Sequence, residues 1–203
     1  MSAFLGPIHF IVYEKILYLN NITNFIIDEF SKNSNLSNLR ENIDAKYPNI
    51  AMGELSEIID HTQIHAWLNN QVSIIEKRSA AVIKEVLNET SDLETLKNIY
   101  RKFGEEARLD HSDIIVLQEL FNIILRMLLD GMPCDKGIEI ISNDDSDILW
   151  KVNLNAHTPY LDEVGLSGDD FIALRNAWLE GFFDNSNIEY QYMGNNTFKI
   201  SEM

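Results

Sequence analysis

The sequence predicts an α+β, mainly α, protein: a four-helix up-down bundle followed by a small antiparallel sheet with one packed helix. Two observations lead to this expectation. Apolar residues recur at helical spacing through the first two-thirds of the 203-residue chain, and after Pro133 the repeat shortens to that of a half-buried strand. We expect residues 1–131 to form the bundle and residues 132–203 to form a small α+β subdomain packed on it as one unit.

Four helices are predicted in the first part of the chain. The first covers residues 7–31, because Pro7 is a favourable first-turn residue and an apolar face follows it. After a polar connection, the second covers residues 54–88. Residues 90–92 (Thr-Ser-Asp) cap the third, and the fourth ends near residue 130, where a glycine can stop it.

Four short strands and one helix are predicted in the second part. The strands cover residues 137–141, 148–154, 188–193 and 197–201. The second strand alternates apolar and polar residues, as expected when one face of a sheet is buried. Between the second and third strands, Ser167 and Asp170 form a capping box that starts the helix.

The charge and the cysteine content narrow the class of partner and the compartment. The formal net charge is −16, and no cluster of Lys or Arg is present, which argues against binding to nucleic acid or to an anionic membrane surface. A basic protein partner fits this charge. Cys134 is the only cysteine, so no internal disulfide can form, and neither a signal peptide nor a transmembrane segment is evident. We expect a cytoplasmic protein.

Three polar residues occupy positions on the second predicted helix where core residues are expected. Glu57, His61 and His65 have i, i+4, i+8 spacing, and at about 100° per residue they continue a stripe of buried apolar positions. A buried ionisable side chain is costly unless it is paired, hydrogen-bonded or metal-bound. We therefore expect these three residues to have a common partner in the bundle core.

The neighbouring helices offer polar residues at the same height if the bundle has up-down topology. Asn20 and Thr23 lie on the first helix and Gln118 on the fourth. Such a layer could bind one transition-metal ion, Zn or Fe, through the glutamate and the two histidines of the second predicted helix. It could also bind a small polar ligand through Asn20, Thr23 and Gln118. The third alternative is a hydrogen-bonded network that only fixes the register of the helices.

A second group of residues could meet at the opposite pole of the bundle. His9, Glu76, Cys134 and His157 are the weaker candidates for catalytic residues, since a cysteine with a histidine and an acid can form a thiol nucleophile. No spacing signature accompanies Cys134, and its place at a helix C-terminus opposes thiolate formation.

Three functions follow from these patterns. The first is a binding protein that holds one metal ion or one small polar ligand in the His/Asn/Gln layer. The second is an acidic, non-catalytic protein of the inhibitor or immunity type. The third is a Cys/His thiol or metal-dependent hydrolase. The first two are binding functions, and the third is enzymatic.

Overall fold

The computed structural model describes residues 4–202, within which the chain forms eight α-helices and a four-stranded antiparallel sheet. The fold class predicted from the sequence, α+β and mainly α, is confirmed. The helices are α1 (Pro7–Phe30), α2 (Leu39–Lys46), α3 (Leu55–Ile58), α4 (Ile64–Thr90), α5 (Leu93–Leu109), α6 (Leu117–Met127), α7 (Thr158–Val164) and α8 (Gly168–Phe183). The strands are β1 (Ile138–Asn143), β2 (Asp147–Val152), β3 (Ile188–Gly194) and β4 (Thr197–Glu202).

The sheet has the order β1-β2-β4-β3. Its buried face carries the alternating residues that the sequence pattern predicts on β2, and Trp150 stacks on Phe198 of β4 with ring centroids 5.7 Å apart. The hairpin between β3 and β4 turns at Asn195 and Asn196, which both have positive φ (49° and 60°), as a tight primed turn requires.

The helix α8 packs most extensively against α5, so the C-terminal segment contributes to the helical core. Two glycines allow this close approach. A Cβ atom on Gly104 would lie 2.0 Å from the carbonyl oxygen of Trp178, and one on Gly181 would lie 2.0 Å from that of Arg101. The four-helix up-down bundle is therefore not confirmed in detail, because the main partner of α5 comes from outside the first 131 residues.

The prediction of one continuous helix over residues 54–88 is wrong. The helix α3 ends at Ile58, and α4 starts at Ile64 after a short irregular segment. In this segment one carboxylate oxygen of Asp60 accepts hydrogen bonds from both the backbone N–H and the hydroxyl of Thr62, at 2.8 and 2.6 Å. Such a local turn competes with helical hydrogen bonding, and it interrupts the helical phase on which the predicted polar stripe depended.

The fourth predicted helix is shorter than expected and ends at Met127 as α6. Its predicted last residue, Asp130, lies instead in the loop that leads to β1, next to Gly131 with a φ of +73°. This loop and the segment before α7 carry the buried charged residues described below.

Candidate functional site

The predicted metal ligands Glu57, His61 and His65 are all exposed. His61 lies in the break between α3 and α4, and its Nε2 is 2.9 Å from the carbonyl oxygen of Ser56. His65 lies in the first turn of α4, with its Nε2 3.3 Å from that of His9. The expectation that these side chains meet in the core is wrong, because the irregular segment places them at the surface. Among residues 4–202, no group of three or more His, Cys, Asp or Glu side chains is arranged to hold a metal ion.

The other members of the predicted polar layer have local hydrogen bonds or partial exposure. Thr23 is buried, and its hydroxyl donates to the carbonyl oxygen of Leu19 one helical turn earlier, at 2.8 Å. Asn20 and Gln118 are partly exposed. A hydroxyl that is satisfied within its own helix needs no cross-helix layer to be buried.

The second predicted group is brought together only in part. His157 has no solvent-exposed surface and its Nδ1 lies 3.0 Å from a carboxylate oxygen of Glu76, which is 4% exposed. Cys134 is exposed, and its Sγ faces Asp135 at 3.6 Å. Within the part of the chain that the structure describes, no hydrogen bond joins Cys134 to His157, and His9 contacts His65 instead. The predicted pairing of the thiol with a histidine is therefore not formed, and the recorded partner of the Cys134 thiol is the Asp135 carboxylate.

Two residues that the sequence analysis missed complete a buried ionic network. Arg175 of α8 forms a bidentate pair with Asp130, with N–O distances of 2.7 and 3.0 Å. The Nε2 of His157 faces the same carboxylate at 3.6 Å, a charge contact longer than a hydrogen bond. The network thus runs from Glu76 through His157 and Asp130 to Arg175, and it joins α4, the loop after α6, the segment before α7, and α8. We call these four residues the ionic network.

The charges of the network stabilise one another. Burial by itself lowers the pKa of His157, but the carboxylates of Glu76 and Asp130 more than offset this and raise it from 6.5 to about 9. Burial raises the pKa of Asp130, but Arg175 and His157 outweigh that effect and lower it to about 2. At neutral pH the histidine is therefore an imidazolium held between two carboxylates, which does not act as a general base.

The Asp130–Arg175 pair lies between two spaces of very different size. Arg175 and Glu76 line a small cavity of about 50 Å³, whose other walls are mostly apolar. Asp130 lines an open groove of about 330 Å³ between the start of α1, the end of α6 and the start of β1. Ligand pockets usually measure roughly 300–1,000 Å³, so the groove has the size of a ligand site and the cavity does not.

Among the cationic residues of the groove, Lys15 is the one that is partly buried, whereas Arg126 and Lys136 are exposed. Lys15 forms no ion pair within the described residues. Burial lowers its pKa, the nearby carboxylate of Asp130 opposes that shift, and Arg175 lowers the pKa further. An ammonium group in this position gains stability from an anion that reaches it.

The sequence contained a signal for one of the missed residues. Arg175 lies four residues after Phe171 and three before Trp178, on the apolar face of the helix predicted from Ser167 onward. A charged residue on that face requires a buried partner. Asp130 has no such signal, because the sequence predicts it as the last residue of the fourth helix, whereas α6 ends three residues earlier.

No helix in residues 4–202 is long and apolar enough to cross a membrane. No protein-family model, no curated protein and no solved structure matches the chain.

Proposed function

We propose that this protein binds a small organic anion with an apolar part, and that the ligand lies in the groove beside Lys15. The observation that carries the proposal is a partly buried lysine without an ion pair in a groove of ligand size. A carboxylate at this place would give the ammonium group a partner, and the apolar part of the ligand would cover the groove wall.

The charge of the groove supports an anion. Three cationic side chains line it, those of Lys15, Arg126 and Lys136, whereas Asp130 is the acidic one. Arg175 and His157 already compensate the Asp130 carboxylate, so it offsets little of the positive charge of the groove. This concentration of positive charge lies in a chain with a net charge of −16, where most of the surface repels anions.

The shape of the groove supports an apolar portion in the ligand. Most of its remaining lining is aliphatic, including Val12, Leu125, Met132 and Ile138. Gly137 brings the backbone of two segments together at its base, since a Cβ atom there would lie 2.2 Å from the carbonyl oxygen of Asp130. Apolar walls with a few polar groups are typical of small-molecule sites.

A matched set of probes tests the proposal. The compounds 4-phenylbutyrate, 4-phenylbutanol and 4-phenylbutylamine share one apolar part and differ in the charge of the head group. We expect titration calorimetry to give one site that binds the anion at least about tenfold more tightly than the alcohol, and no saturable binding of the amine. Equal affinity for the three compounds would contradict an anion site.

Substitution of the lysine separates this site from non-specific binding. Lys15→Met keeps the length and apolar character of the stem and removes the charge, so we expect the preference for phenylbutyrate over the alcohol to disappear. Lys32→Met is the control, because Lys32 is 70% exposed and pairs with Glu29 on the surface. Unchanged anion binding in Lys15→Met, with unfolding midpoints of both variants near that of the parent protein, would refute the assignment.

A further inference from the structure

The side chains of His9 and His65 meet edge-on at the contact between the start of α1 and the start of α4. Their Nε2 atoms are 3.3 Å apart, their ring centroids are 5.2 Å apart, and the ring planes are inclined at 75°. His9 is 7% exposed and His65 is exposed, so one ring is anchored in the protein and the other is at the rim. Two imidazole nitrogens from different helices thus lie next to each other at the edge of the protein.

The distance between the Nε2 atoms of His9 and His65 suits two ligands of one tetrahedral metal ion. With metal–nitrogen bonds of about 2.0–2.1 Å and tetrahedral angles, the two nitrogens are about 3.3–3.4 Å apart. Imidazole nitrogens are preferred ligands of Zn²⁺ and Cu²⁺. Because no third His, Cys, Asp or Glu joins the pair among residues 4–202, water would complete the coordination shell.

We propose that His9 and His65 bind one Zn²⁺ or Cu²⁺ ion through their Nε2 atoms. This site is independent of the anion groove. It retains His65 from the ligand set predicted from the sequence and replaces Glu57 and His61 by His9. Because Cu²⁺ forms the more stable complexes with nitrogen ligands, it binds here more tightly than Zn²⁺.

The hydrogen bonds of His9 make binding detectable at a defined atom. The backbone N–H of Gly6 donates to Nδ1 of His9 at 2.9 Å, so in the metal-free neutral ring the proton is on Nε2 and points to His65. When Nε2 binds the ion, the proton moves to Nδ1, and the Gly6 N–H loses its acceptor. Metal binding therefore changes the environment of the Gly6 amide, which lies at the N-cap of α1.

The experiment is titration of the tag-free protein with Zn²⁺ and with Cu²⁺, by calorimetry and by amide NMR. We expect one ion per chain. With Zn²⁺ the Gly6 resonance shifts and saturates with the calorimetric isotherm, and with Cu²⁺, which is paramagnetic, the same resonance broadens and is lost. His65→Asn and His9→Gln each lower the affinity at least tenfold. His9→Gln is chosen because a glutamine at this position can still accept the Gly6 N–H, as in a capping box, and so preserves the start of α1.

His61→Asn is the matched control, since His61 is an exposed histidine in the adjacent segment whose Nε2 contacts a backbone carbonyl. We expect its affinity to remain within twofold of the parent protein. Affinity that persists in both His9→Gln and His65→Asn would overturn the proposal. So would a loss in His61→Asn that places the ion on His61, or the absence of binding up to millimolar metal.

Discussion

The histidines of this protein differ in burial: His157 lies in the core, whereas His61 and His65 lie at the surface. His157 has no exposed surface and lies between two carboxylates, whereas His61 and His65 lie at the surface around the break that precedes α4. The periodicity of the sequence predicts that His61 and His65 are buried, whereas it places His157 in a loop. The difference teaches that a histidine is buried as a charged group where partners from other elements surround it, whatever its helical phase.

Removal of the central carboxylate should give the largest effect. In Asp130→Asn the shape of the side chain is kept, but Arg175 and His157 lose the charge that compensates them. We expect the free energy of unfolding to fall by about 3–5 kcal/mol, measured by urea denaturation.

Asp44→Asn provides the control for this substitution. Asp44 also pairs with a buried arginine, Arg78, but its own side chain is 37% exposed. We expect a loss of only about 1–2 kcal/mol, because water already reaches that carboxylate. Equal losses of unfolding free energy in the two variants would mean that the ionic network stabilises the fold no more than a partly exposed ion pair does.

The pH dependence of stability should show a second, smaller effect. The pKa of His157 is raised from 6.5 to about 9 in the folded protein, so its stabilisation is fully present below pH 6.5 and is lost as the pH rises towards about 9. This stabilisation amounts to about 3 kcal/mol if the whole shift in the pKa of His157 contributes to the free energy of unfolding. Unfolding midpoints measured across this pH range should therefore decline, and the decline should be absent in His157→Gln.

His61→Gln is the matched control for the pH experiment. The exposed imidazole of His61 contacts the carbonyl oxygen of Ser56 and lies near the carboxylate of Asp60, and it lies outside the ionic network. The decline between pH 6.5 and about 9 should persist unchanged in this variant. If it vanished there instead, the assignment of the titrating group to His157 would be wrong.

The buried hydroxyl of Thr23 should matter less than the ionic network. In Thr23→Val the bond from the hydroxyl to the carbonyl oxygen of Leu19 is lost, while the helical environment remains apolar. We expect a loss below about 1 kcal/mol in urea denaturation. A loss of several kcal/mol would restore the idea of a polar layer across helices.

The surface histidines should have the smallest effect on stability. His61→Ala removes an exposed side chain, so the free energy of unfolding should change by no more than about 0.5 kcal/mol. A thermal unfolding scan without added metal is sufficient to check this. A large destabilisation would show that His61 stabilises the fold by more than its surface interactions with Ser56 and Asp60.

The parts of the fold that were predicted correctly depend on local chemistry. Ser167 caps α8 by accepting the N–H of Asp170 at 3.0 Å, and Asp92 caps α5 by accepting that of Thr95 at 2.9 Å. Helix caps and the alternation of β2 involve residues a few positions apart, so a pattern search finds them. The break near Asp60 is local too, but an Asp-x-Thr sequence also occurs within helices and does not by itself end one.

The candidate site could not be predicted in the same way. The sequence predicts that Glu76 and His157 belong to one group, and they do meet, but it does not connect Asp130, Arg175 or Lys15 with them. The bonds of the network join residues 81 and 45 positions apart. Such pairings depend on which elements pack together, and here α8 packs against α5 where a simple bundle was expected.

The sequence by itself determined most of the helical and extended segments, the caps of α5 and α8 and many of the apolar positions that become the core, because these follow from periodicity and short-range hydrogen bonding. Only the tertiary structure decided which polar side chains are buried and which charges compensate one another. The physical reason is that a charge is stable in the core only beside its counter-charges, and in this protein they come from distant segments brought together by packing.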